Sequence, residues 1–149
     1  MFQISSQDIE FAIRLSVATF LGGLIGFERE SHGKEAGVRT YSLVCLGSAL
    51  VMIVSFEMYE MYKAVTTVDP SRIAAQVVSG IGFLGAGAII RFPQGIKGLT
   101  TAAGIWAVSG IGLACGLGFH RLAVLATMLV LIVLIVFSKL DRFFGGHDN

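Results

Sequence analysis

The residues of this chain that could do chemistry are few, and they cluster where apolar runs end. Glu28-Arg29-Glu30 closes the first run and Arg39 opens the second. Two carboxylates two positions apart, with an arginine at the next helix start, can form a buried ion-pair network. They can also hold a hard divalent cation, since Mg²⁺ takes one or two carboxylates and keeps several waters. A solvated loop of mixed charge has the same spacing, so all three readings stand. Asp69 precedes Pro70 at the head of the third run. Asp is a good N-cap and proline at the first helical position loses no hydrogen bond, so Asp69 has a structural role in hand. As a carboxylate at the opposite boundary it also joins Glu28 and Glu30 as a candidate metal ligand. Arg72, Gln76 and Ser79 follow on one helical face. Such a stripe is costly against lipid and is expected to face the bundle interior, for helix–helix hydrogen bonding before ion binding. Glu10 and Arg14, four apart, are expected to neutralise each other. Thr100 and Thr101 open the fourth run. They can cap it, which is the preferred reading, or offer hydroxyl and backbone N–H groups to an anion.

Catalysis has no candidates. His32, His120 and His147 lie in three separate connecting segments, and HExxH, CxxC and GxSxG are all missing from the sequence. Gly80-Ile-Gly82-Phe-Leu-Gly85 satisfies G-x-G-x-x-G, but that fingerprint needs a strand before it and a helix opening at it, whereas these glycines fall inside an apolar helix. Cys45 and Cys115 are far apart in apolar runs and read as small buried thiols. A non-enzyme without a cofactor is expected, with Mg²⁺ as the one ion the carboxylates suggest.

The elements that hold these residues are membrane helices. Of 149 residues 54% are hydrophobic and only 14% charged, about half the charge a water-facing domain usually carries. The mean hydropathy is +0.78. Net charge is +1 with no basic stripe, which disfavours nucleic acid. Five apolar stretches, near 8–27, 40–58, 72–90, 99–118 and 122–137, approach the ~20 residues that cross a bilayer core. They lack the alternation of barrel strands. The fold class is therefore an all-α membrane protein, one bundle of about five transmembrane helices spanning residues 1–149 as a single domain. No Lys or Arg precedes Arg14 and no cleavage pattern follows, so the first helix is expected to stay.

Basic residues fix the orientation. Arg29, Lys34, Arg39, Arg91, Lys97, Lys139 and Arg142 fall on one side, against Lys63, Arg72 and Arg121 on the other. The positive-inside rule puts the C-terminus in the cytoplasm and the N-terminus outside. Tyr59 and Tyr62 suit an outer aromatic belt; Tyr41 and Phe92 suit an inner one. Of 19 glycines, 11 lie between Gly80 and Gly118. Small residues let helices approach in lipid, so the third and fourth helices are expected at the packed centre, with the fifth facing lipid. Gly22-x-x-x-Gly26 and Gly112-x-x-x-Gly116 have the packing spacing. Internal contacts are their default meaning, and a homo-oligomer seam is the second reading.

Three ordered stretches carry a resemblance. Gly22-Gly-Leu-Ile-Gly-Phe-Glu-Arg-Glu with Ala36-Gly-Val-Arg-Thr-Tyr-Ser-Leu-Val-Cys-Leu-Gly, the run from Asp69-Pro-Ser-Arg-Ile-Ala-Ala-Gln to Gly87, and Gly98-Leu-Thr-Thr-Ala-Ala-Gly-Ile-Trp onward resemble the signatures of the MgtC/SapB family. The match covers about residues 20–120. It implies a multi-pass protein of the bacterial cell (inner) membrane, linked to growth when Mg²⁺ is scarce and to virulence. Older labels for the family name Mg²⁺ transport or a transport ATPase. The resemblance favours a modulator of other membrane proteins, the ATP synthase or a cation-transport ATPase among them, over a small cation transporter or channel, which would be oligomeric. Glu28, Arg29, Glu30, Arg39, Asp69, Arg72, Gln76, Thr100 and Thr101 match its polar signature positions. MgtC-type members carry a soluble C-terminal domain, whereas this chain ends at Asn149; a short form, the membrane core alone, is expected.

Overall fold

The computed structural model describes residues 5–65, 67, 69, 71–93 and 95–140. Five helices and one short hairpin make an all-α membrane bundle: α1 (Ser6–Ser31), α2 (Val38–Tyr62), α3 (Ser71–Gly87), β1 (Ile90–Phe92), β2 (Gly95–Lys97), α4 (Leu99–Gly116) and α5 (His120–Ile132). A π-helical turn, Val133–Phe137, continues α5, and the helix runs on to Leu140. Four helices, α1, α2, α4 and the continuous His120–Leu140, are long and apolar enough to cross a membrane. The fifth, α3, has 17 residues and rises about 26 Å, just short of a hydrocarbon core.

Helices outrun the apolar stretches that announce them. The expected start at residue 8 moves back to Ser6 because Ser5 and Asp8 close a capping box, Ser5 N donating to Asp8 Oδ2 at 2.8 Å and Asp8 N to Ser5 Oγ at 3.1 Å. At their far ends α1 and α2 pass residues 27 and 58 by four positions each. Apolar composition marks the hydrocarbon, and backbone hydrogen bonding carries the helix beyond it. Helix α3 ends at Gly87 rather than 90, because Ile90–Phe92 pairs antiparallel with Gly95–Lys97. Arg91 and Lys97 on that hairpin are exposed, and the positive φ of Gly95 (145°) and Gly98 (89°) bracket its second strand.

The packed centre is α2, clamped between α1 and α4. A Cβ on Gly22 would stand 2.6 Å from the Tyr41 carbonyl oxygen, and one on Gly26 would stand 2.7 Å from Val38 Cα. On the other flank, a Cβ on Gly116 would stand 2.6 Å from the Ala49 oxygen, and one on Gly112 would strike the Cys45 carbonyl. Both glycine pairs therefore serve internal packing. The expectation that α3 shares the centre is overturned: only Ile81 and Gly85 of α3 are buried, and Gly80, Gly82 and Gly87 have nothing within 4 Å. Glycine enrichment shows that a helix can approach closely without showing which helix does. Helix α5 does face outward, with Ala123 and Thr127 as its buried residues. Cys45 and Cys115 are free and buried. Tyr41, expected in an aromatic belt, is instead fully buried, its hydroxyl donating to the Thr101 carbonyl at 3.2 Å.

Candidate functional site

Gly26 lets the start of α2 lie directly on the last turns of α1, and that approach buries two charges. Glu28 and Arg29 are 6% and 3% exposed. Neighbours on a helix point about 100° apart, yet Arg29 folds back to make a forked pair, Nε to Glu28 Oε2 at 2.5 Å and a terminal nitrogen to Oε1 at 2.8 Å. Bidentate guanidinium–carboxylate geometry is the strong form of this interaction. His32 Nδ1 lies 3.2 Å from Glu28 Oε1 and 2.9 Å from the Glu28 carbonyl, and Ser31 Oγ donates to that same carbonyl at 2.8 Å. The pair is neutral overall, and both carboxylate oxygens are engaged.

Glu30 works elsewhere. Its Oε2 accepts from Val38 N at 2.9 Å, so α1 supplies the anion at the N-terminus of α2, whose own cap residue is the side-chain-free Gly37. A Cβ on Gly37 would collide with that carboxylate. Arg39 is exposed and outside the pair. The network expected of Glu28, Glu30 and Arg39 is thus rearranged, because Arg29 reaches Glu28 first while Arg39 starts α2 on its outer side.

Asp69 caps α3 as expected, its Oδ1 accepting from Ser71 N at 2.9 Å and Ser71 Oγ at 2.7 Å. These donors, the side-chain one foremost, hold its carboxyl below the ordinary value of 3.8. Pro70 lies outside the described residues, as do Arg142 and His147. Asp69 is at the opposite end of the bundle from Glu28 and Glu30. Among the described residues no group of three or more His, Cys, Asp or Glu is placed to hold a metal ion. Arg72, Gln76 and Ser79 are exposed, so the stripe does not face the interior: α3 sits at the edge and turns its small apolar side inward. Thr100 and Thr101 do not cap α4. Gly98, in the left-handed conformation, is its N-cap and no side chain bonds there. Thr101 is buried beneath Tyr41 and Thr100 is exposed.

Each end of the bundle has paired and unpaired cations, Arg72 and Arg121 at the end of Arg14 being exposed and without an ion pair among the described residues. At one end Arg14 pairs with Glu10, as expected, and also donates to the Gly116 carbonyl at 2.7 Å. Lys63 pairs with Glu60, which raises its pKa. At the other end Lys34, Arg39, Arg91 and Lys139 are exposed and make no ion pair among the described residues, while Lys97 lies 5.3 Å over the Phe92 ring. Sequence reasoning missed the Arg14–Gly116 bond and the buried Tyr41; in hindsight, Gly104 was the signal for Tyr41, since a Cβ there would meet its ring.

The MgtC family profile matches residues 15–143. A protein of Escherichia coli K12 with the name "Putative magnesium transporter YhiD" is 49% identical over 133 residues, 88% of this chain and 62% of that protein. A Haemophilus influenzae protein is 46% identical over 123 residues, 80% of this chain and 52% of its own length. Protein MgtC of Salmonella typhimurium LT2 is 45% identical over 122 residues, 81% of this chain and 49% of its own length. The chain thus spans about half to three-fifths of these relatives. No solved structure matches.

Proposed function

This chain belongs to the MgtC family, and from that premise we propose a non-enzymatic membrane protein of Mg²⁺ homeostasis that acts by binding other membrane proteins. The observation that supports this reading is how the polar groups of the bundle are used. Glu28 is closed by Arg29 and Glu30 by the α2 terminus. The buried hydroxyls of Ser48, Ser109 and Thr127 return to carbonyls of their own helices. Between the two ends lies an apolar core, which offers a hydrated cation no replacement ligands. Meanwhile α3 presents Arg72, Gln76 and Ser79 outward, where a partner helix can meet them. The proposed partners include an ion-motive ATPase or the ATP synthase, and the proposed orientation is N-terminus outside and C-terminus cytoplasmic, by the basic end.

A second reading, Mg²⁺ transport by an assembly of copies, draws on the name of the Escherichia coli relative. Sealed liposomes holding the purified protein and an entrapped Mg²⁺-sensitive dye separate the two. The modulator reading expects no flux above protein-free liposomes, and recovery of defined membrane proteins with the wild type that Gln76→Leu weakens. Protein-dependent flux abolished by Glu28→Gln or Asp69→Asn would replace it with transport.

A further inference from the structure

Helix α3 has two unlike sides. Ile81 and Gly85 are buried against the rest of the bundle. With about 100° between successive residues, the opposite side carries Arg72, Gln76, Ser79, Phe83 and Ala86, all of them exposed. A helix side that meets lipid is large and apolar, as on α5, where Leu122, Leu125, Leu129 and Ile132 point outward. The outward side of α3 departs from that pattern, and it does so within the bilayer. Gln76 and Ser79 stand about 8 and 12 Å along the helix from Ser71, inside a hydrocarbon core of ~30 Å. The Gln76 amide has no hydrogen-bond partner and Arg72 no ion pair among the described residues. A primary amide against lipid is costly, and a hydrogen bond to a neighbouring helix removes that cost.

The chemistry of this face chooses its occupant. A carboxamide both donates and accepts, so it is its own complement across a two-fold axis. The charges are self-complementary as well. Asp69, whose carboxyl is held low mainly by Ser71 and in smaller part by Arg72, stands one turn before Arg72. A lone cation would call for an acidic partner, whereas a cation with an acid beside it calls for a surface that also carries both signs. The other charges at this end belong to other elements: Glu10 pairs with Arg14 on α1, Glu60 with Lys63 at the end of α2, Glu57 accepts from Gln7, and Arg121 is on α5.

We propose that a second copy of this chain docks here, α3 against α3 in parallel about a two-fold axis. The Gln76 amides pair across the axis, Arg72 of each copy lies beside Asp69 of the other, and Ser79 and Ala86 permit close approach deeper in the bilayer. The proposal rests on the modulator reading only in taking the outward side of α3 as a docking surface, and it names the first occupant of that surface.

The test counts copies of the singly labelled, full-length protein in liposomes by single-molecule photobleaching as the protein is diluted in lipid. No other protein is present, so a negative result leaves the modulator reading to partner recovery and Mg²⁺ flux. Wild type should pass from dimer to monomer on dilution. Gln76→Leu should weaken the dimer about tenfold, the scale of two interhelical hydrogen bonds. Arg72→Glu sets two acids on each copy and should weaken self-association about fivefold, while the same variant should pair with wild type more tightly than with itself. Leu125→Ala, on the lipid-facing side of α5, should change nothing, and circular dichroism confirms that each variant is folded. Wild type that stays monomeric at every dilution leaves this face to lipid or to a foreign helix and overturns the assignment. A dimer that Gln76→Leu and Arg72→Glu leave intact, or that Leu125→Ala weakens equally, overturns it too.

Discussion

Replacing Glu28 with glutamine keeps the shape of the side chain and removes its charge, which leaves the Arg29 guanidinium, 3% exposed, without a counter-ion. Breaking a buried pair from one side costs about 3–5 kcal/mol, because one charge is stranded. Arg29 cannot shed its proton, so Glu28→Gln belongs at the upper end of that range. Arg29→Met belongs at the lower end, since Glu28 keeps His32 at 3.2 Å. The double variant Glu28→Gln/Arg29→Met removes both charges and fills the space with an apolar chain, an exchange that is often close to neutral; about 1 kcal/mol is expected. Independent effects would instead sum to roughly 6–10 kcal/mol from the same single-variant range. The coupling therefore amounts to several kcal/mol, far above the few tenths by which unlinked sites depart from additivity. Equilibrium unfolding of the purified protein in mixed micelles, followed by circular dichroism, measures all four species. A double variant as unstable as the sum of the singles, or a Glu28→Gln loss under about 0.5 kcal/mol, the scale of an exposed pair, would refute the claim that burial governs this pair.

Two further outcomes follow from the geometry. Gly112→Leu should abolish stable folding because its side chain would enter the Cys45 carbonyl and Ser48, while Gly110→Ala, with nothing within 4 Å, should stabilise slightly through helix propensity of up to about 1 kcal/mol; thermal unfolding in detergent compares them. Asp69 has a folded pKa depressed below 3.8, so its contribution is present above that value and is lost as pH falls through the folded pKa. The stability difference between wild type and Asp69→Asn should therefore hold from neutral pH to about 4 and vanish in stronger acid, and a difference that already disappears near pH 6 would contradict the Ser71 bonds.

The elements legible in the sequence are those decided by local rules. Apolar length marked all five helices, the i, i+4 spacing paired Glu10 with Arg14, and Asp69 before a proline announced its cap. The Gly22/Gly26 and Gly112/Gly116 spacings named two real contact faces. What escaped was decided by which helix neighbours which. Lipid is as apolar as a bundle core, so no hydrophobic contrast told α3 that its polar side lies outward or Tyr41 that it lies within. The site was half legible for a related reason: Glu28, Arg29 and Glu30 were visible, but their division of labour depends on Gly26 and Gly37 bringing the start of α2 against α1. The hairpin at residues 90–97 was too short to leave a periodic trace.

The clamp on α2 also sets the order in which the protein can be made. One half of the clamp, α1, precedes α2 in the chain, so that helical hairpin can close as soon as both helices have left the ribosome. The other half, α4, arrives only after α3 and the basic hairpin have been synthesised. Until then the α2 surface around Cys45, Ala49 and Met52 has lipid or the insertion machinery as its neighbour. A nascent chain arrested before Gly116 therefore displays an α2 face that the finished bundle conceals.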